Sequence, residues 1–226
     1  ILGTLPLTVV PASLGLFHAD PRADVFATAM SAIPLGMLLN AAFLGVWRVW
    51  PIRAGNRSTV LMETLGLSLG FWIIAALLLV VAREALSPNM KRDVLVGVVA
   101  LGTTVVLGVR ACRNAPPAPK GNRRVGVRVL LLRGLGAGAA IACGVALGRA
   151  GWMTAAGMAS VFPAIFLTSM LATWMAQGKA VPIGASGPMM LGSVAVSIYA
   201  LVCAFTMPWA GALWGSILGW IAGSVF

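Results

Sequence analysis

Apolar residues come in long runs along this chain, separated by short polar stretches that hold most of the charge. The runs occupy residues 1–17, 25–47, 59–82, 94–109, 127–147, 152–177, 187–205 and 208–225. About 20 apolar residues in helical form cross a bilayer. Inside lipid the backbone must satisfy its own hydrogen bonds, which selects helices for runs of this length. The pattern therefore predicts an all-α, polytopic membrane bundle of about eight transmembrane helices. The first run is short for a span, and Pro6 and Pro11 would bend it. It reads as a truncated first span rather than a signal peptide, because no charged segment precedes it.

The run at 152–177 organises the rest. It is free of charge, has Pro163 near its middle, and places Ala155, Ala156, Gly157, Ala159 and Ser160 before that proline. A proline there removes a helical hydrogen bond and clashes with the preceding turn. An echo lies earlier in the chain: AMSAIPLGMLL at 29–39 resembles GMASVFPAIFL at 157–167. The loops WPIRAG at 50–55 and VPIGAS at 181–186 echo one another as well. Pro34 and Pro163 are 129 positions apart, and Pro51 and Pro182 are 131 apart. Two nearly equal offsets predict a duplication. Residues 1–110 then form a first four-helix repeat, residues 111–126 a basic, proline-rich linker, and residues 127–226 a second four-helix repeat. An even number of spans per half gives both halves the same orientation, as parallel repeats have.

Composition sharpens the class. Hydrophobic residues make up 60% of the 226 positions and charged residues 9%, against about 25% charged in soluble domains. The net charge of +11 comes from sixteen basic and five acidic residues. Because the basic residues lie mainly between apolar runs, they read as loop topology and contacts with lipid headgroups, not as a nucleic-acid surface. Arg48, Arg53, Arg57, Arg110, Arg113, Lys120, Arg123, Arg124, Arg128 and Lys179 fall on one side. Arg22, Arg83, Lys91, Arg92 and Arg149 fall on the other. The positive-inside rule makes the first side cytoplasmic, or its organellar equivalent, and puts both termini there. The expected location is a bacterial inner membrane or an organellar membrane. Trp47 and Trp50 are expected at interface depth.

Chemistry has few candidates. Glycine recurs every four residues at Gly211, Gly215, Gly219 and Gly223, and in the pairs Gly134/Gly138, Gly144/Gly148 and Gly66/Gly70. That spacing lets helix backbones approach closely. Glu63 is the acidic residue inside an apolar run, and such an acid is a functional candidate. Its shallow position also allows snorkelling, or pairing with Arg53 or Arg57. Arg133, one or two turns into the fifth run, either snorkels or binds an anionic substrate or headgroup. Asn40 is read as transport lining or as an interhelical hydrogen bond. Pro34 and Pro163 either kink helices for packing or expose carbonyls to a central path, as broken helices do in transporters. The single histidine, His18, sits at a span boundary, and Cys112, Cys143 and Cys203 show no metal spacing. No catalytic set is visible, so no enzyme activity, cofactor or metal is expected.

From Trp152 onward the order of features resembles the GlpM family of small bacterial membrane proteins. The resemblance rests on Trp152, Ala155, Ala156, Gly157, Phe162-Pro163, a polar interruption, a seventh span, and a closing span from Pro208 with Gly215-Ser216. It covers about residues 128–226, with a fainter echo in the first half. It implies a compact four-helix membrane unit, here doubled, and an expectation of transport or support of envelope processes. Two functions follow from the sequence as a whole. One is a small transporter of unidentified substrate. The other is a structural or accessory subunit of a larger membrane complex, partnered by lipid, by copies of itself or by other membrane subunits.

Overall fold

A computed structural model describes residues 9–52, 56–87, 89–114 and 126–225. Secondary structure among them is helical throughout: α1 (Val9–Ala19), α2 (Ala23–Val49), a short 3-10 turn (Trp50–Ile52), α3 (Arg57–Glu84), α4 (Met90–Arg113), α5 (Val127–Arg149), α6 (Met153–Ser160), α7 (Ala164–Gln177) and α8 (Ala180–Val225). Six apolar stretches among the described residues are long enough to cross a membrane, with α6 and α7 counted together. The chain is a multi-pass helical membrane bundle. The expected count of eight spans falls short at the first run. The first run yields α1, whose 11 residues reach only about 16 Å at the helical rise; residues 1–8 lie outside the described set. The seventh and eighth runs both lie in α8, whose 46 residues are two helical segments meeting at the non-helical Gly211 (φ 80°, ψ 168°). Most of the predicted linker, residues 115–125, also lies outside the described residues, and α4 continues to Arg113.

α2 is the buried axis of the bundle. It packs most extensively against α8, then α4, then α6. Phe26, Met30, Ile33, Phe43, Leu44 and Trp47 on it are fully buried. Trp47 faces the interior of the bundle. Its Nε1 donates to Ser68 Oγ at 3.1 Å, and its ring stands edge-on to Trp174 at 6.0 Å. α3 and α5 are peripheral, with Ile74, Leu77, Leu78, Val81, Leu131 and Leu135 exposed. An apolar outer face of this extent suits a lipid solvent.

Small residues set the closest helix contacts. A Cβ added at Gly157 would lie 2.1 Å from the Ala29 carbonyl oxygen, and one at Gly36 would lie 2.4 Å from a Val161 methyl. The two segments that echo one another in sequence thus pack directly together. Beyond Gly211 the chain folds back on α8 itself: a Cβ at Gly215 would meet Met207 Cα at 2.5 Å, and one at Gly219 would meet Cys203 Sγ at 2.5 Å. Gly223 is buried as well. At Gly134 and Gly138 no described atom of this chain lies within 4 Å of an added Cβ. Gly66 and Gly70 are equally open.

Candidate functional site

The site grows from the break between α6 and α7. Pro163 has no N–H to offer, and the chain before it tightens: Val161 N–H bonds the Met158 carbonyl at 3.2 Å and Phe162 N–H bonds that of Ala159 at 3.1 Å. The helix restarts with Leu167 N–H on the Pro163 carbonyl at 2.7 Å. Val161's carbonyl is thereby freed from the helical ladder, and Asn40 Nδ2 donates to it at 2.9 Å. Asn40 Oδ1 in turn accepts from Trp72 Nε1 at 2.8 Å. Trp72 packs edge-on against Phe162 at 5.2 Å. One buried amide thus ties α2 and α3 to the break. Pro34 shows the other outcome: it lies inside α2 without ending it.

A cavity of about 540 Å³ opens beside this break. That volume is in the range of small-molecule sites. α5 contributes Arg133, Ala137, Ala140 and Ile141, a spacing that lines one helix face. α2 adds Met37 and Asn40, α7 adds Ile165, Phe166, Ser169 and Thr173, and α8 adds Pro188, Met189 and Ser193. Asn40, Arg133 and Pro163, three residues singled out from sequence, meet here.

The polarity of the cavity is one-sided. Several lining hydroxyls donate to their own helices: Ser160 to Gly157 O at 2.7 Å, Ser169 to Ile165 O at 2.5 Å, Thr173 to Ser169 O at 2.8 Å and Ser193 to Met190 O at 2.6 Å. No acidic side chain is in the described lining. Arg133 Nε is shut off from solvent without an acceptor among the described residues. α7 begins at Pro163 without a side-chain cap, so its first-turn amides carry the positive end of the helix dipole toward the cavity wall. A charge left unpaired in an apolar setting is costly.

Glu63, in contrast, is exposed on α3 and accepts from Trp50 Nε1 at 3.2 Å. It does not line the cavity. His18 is exposed, with Nδ1 2.8 Å from Leu14 O. Cys112 is half-buried, Cys143 exposed and Cys203 buried.

A second polar cluster lies where the sequence of residues 83–93 looks like a loop. Asp93 is fully buried at the start of α4. It pairs with Arg83 Nη2 at 3.0 Å and Arg92 Nη2 at 2.9 Å and accepts from Thr28 Oγ1 at 2.6 Å. Asn89 caps α4 by accepting from Arg92 N–H at 3.1 Å. Next to this cluster, Glu84 accepts from Thr154 N–H at 3.1 Å and so caps α6. The sequence signals were an acid in the first turn of one helix and an arginine in the last turn of its predecessor.

The opposite end is tied by cations on backbone carbonyls. Arg57 Nη2 reaches Trp174 O at 2.7 Å and Met175 O at 3.2 Å. Lys179 Nζ reaches Pro51 O at 2.9 Å, and Arg48 reaches the carbonyl of Asn114.

No protein-family model matches this chain, and neither the curated proteins nor the solved structures compared with it yield a match.

Proposed function

We propose that this chain is a small membrane transporter whose central cavity receives an organic anion. The observation that carries the reading is Arg133, buried at its Nε without an acceptor among the described residues, beside an uncapped half-helix start at a proline break. Broken helices that turn their N-termini toward an anionic group are a recurring transporter device. The mainly apolar lining, with Phe162, Phe166 and Met189, suits a substrate with a hydrocarbon or aromatic body and one anionic head. The same reading keeps two related helical sets, GlpM-like in organisation, with both termini on the cytoplasmic or equivalent side. It is supported by the matched prolines and by the contact between the echoing segments.

The test uses the full chain in liposomes with a panel of carboxylates and organic phosphates, read by uptake and by thermal stabilisation of the protein. Saturable uptake of at least one anion is expected, weakened more than tenfold by Arg133→Gln, since a charge-assisted hydrogen bond is worth about 1.5–3 kcal/mol. Absence of flux and of stabilisation across ions and small anions would sink the reading.

A second reading, an accessory subunit of a membrane complex, is favoured by different features. Trp209 and Trp214 near the α8 bend are 84% and 64% exposed, and Gly134 and Gly138 present an open seam on α5. Stoichiometric co-purification with other membrane proteins after mild detergent extraction would favour it; a homogeneous particle of this chain alone would remove it.

A further inference from the structure

A second pocket, of about 230 Å³, lies at the opposite end of α7 from the proline break, lined by Arg57, Val60, Trp174, Gly178 and Lys179. Four features converge there. Arg57 and Lys179 each donate to backbone carbonyls, and neither forms an ion pair among the described residues. Both charges are therefore uncompensated, with donors to spare. Trp174 is 1% exposed, and its Nε1 finds no acceptor among the described residues. A buried indole N–H without an acceptor is unusual and costly. Finally, α8 starts at Ala180, so the amides of Ala180 and Val181 head a long helix at the pocket's edge. Gly178, at φ 84°, makes the turn that brings this start against the end of α7.

We infer that this pocket binds a phosphate group. A guanidinium, an ammonium, an indole N–H and a helix start gather at one pocket, which suits a group with several anionic oxygens rather than a flat carboxylate. The phosphate is either that of an anionic phospholipid headgroup or a free one. The site is separate from the Arg133 cavity and does not depend on the transport reading.

The experiment uses the full chain purified in mild detergent. Native mass spectrometry compares retention of phosphatidylglycerol with that of a diglucosyl diacylglycerol lacking phosphate, and thermal unfolding is followed against added inorganic phosphate. Preferential retention of phosphatidylglycerol with no response to inorganic phosphate assigns a lipid headgroup. Saturable stabilisation by inorganic phosphate assigns a free phosphate. In either case Lys179→Gln should weaken binding roughly tenfold, as loss of a charge-assisted contact does. Trp174→Phe, which keeps the ring and removes the donor, should weaken it by a smaller factor. Arg133→Gln should leave it unchanged. Because Arg57 also caps α7, Arg57→Gln is read only alongside Lys179→Gln. No preference for either phosphate source, or equal binding by wild type and Lys179→Gln, overturns the inference.

Discussion

Replacing Asn40 with leucine tests the link between the proline break and the rest of the bundle. The change keeps the side chain's approximate volume and removes both polar partners. Two hydrogen bonds disappear: the 2.9 Å bond to the Val161 carbonyl and the 2.8 Å bond from Trp72 Nε1. In water-soluble proteins each orphaned group would cost about 1–3 kcal/mol. Interhelical hydrogen bonds in membranes average only about 0.6 kcal/mol, with a maximum of about 1.7, because the unfolded chain in the bilayer also finds partners. The Val161 carbonyl has lost its helical donor at the break and has little else to turn to, so the upper part of that range applies. The expected loss for Asn40→Leu is about 2 kcal/mol. Trp72→Phe removes one of the same bonds and should cost about 1 kcal/mol. The double variant should fall short of the sum, since both changes strike one bond. Reversible unfolding in mixed micelles, titrated with denaturing detergent, measures all three. An Asn40→Leu change within about 0.5 kcal/mol of wild type, the size of a neutral surface substitution, would refute the claim that this amide holds the break.

Other outcomes follow from the same structure. Asp93→Asn weakens the pairs with Arg83 and Arg92 in a buried cluster; a loss approaching the 3–5 kcal/mol typical of a broken buried pair is expected in the same titration. Gly219→Leu drives a side chain into Cys203 and Tyr199 and should cost at least the 1–3 kcal/mol of an overpacked core, whereas Gly134→Leu, with open space around it, should leave the stability of the monomer unchanged. The hydrogen bond from Arg22 holds the Asp20 carboxyl below its ordinary value. Its small contribution is complete above that ordinary value and lost as the pH falls through the lowered one, so Asp20→Asn should flatten the acid limb of a stability–pH profile.

Much of the scaffold is legible in the runs themselves. Lipid offers the backbone no hydrogen bonds, so a long uncharged run has little choice but to be helical, and the boundaries of α2, α3 and α5 follow the runs closely. Pro163 marks a break for an equally local reason: it carries no N–H. Gly215 and Gly219 announce a close approach through their spacing. Arg133 and Asn40 stand out because polar groups in such runs are few.

What the sequence left open is which groups meet. Pro34 and Pro163 look equivalent along the chain, yet only the second ends its helix. Glu63 invites an intramembrane role, but the packing leaves it exposed beside Trp50. Asp93 reads as a loop residue and becomes fully buried because Thr28, Arg83 and Arg92 converge on it from three helix ends. The physical reason is common to these cases. Backbone hydrogen bonding and hydrophobic length are properties of a segment. The cost of a charge or an amide depends on its surroundings, and for Asn40 the deciding neighbours, Trp72 and Val161, come from other helices, as Thr28 does for Asp93.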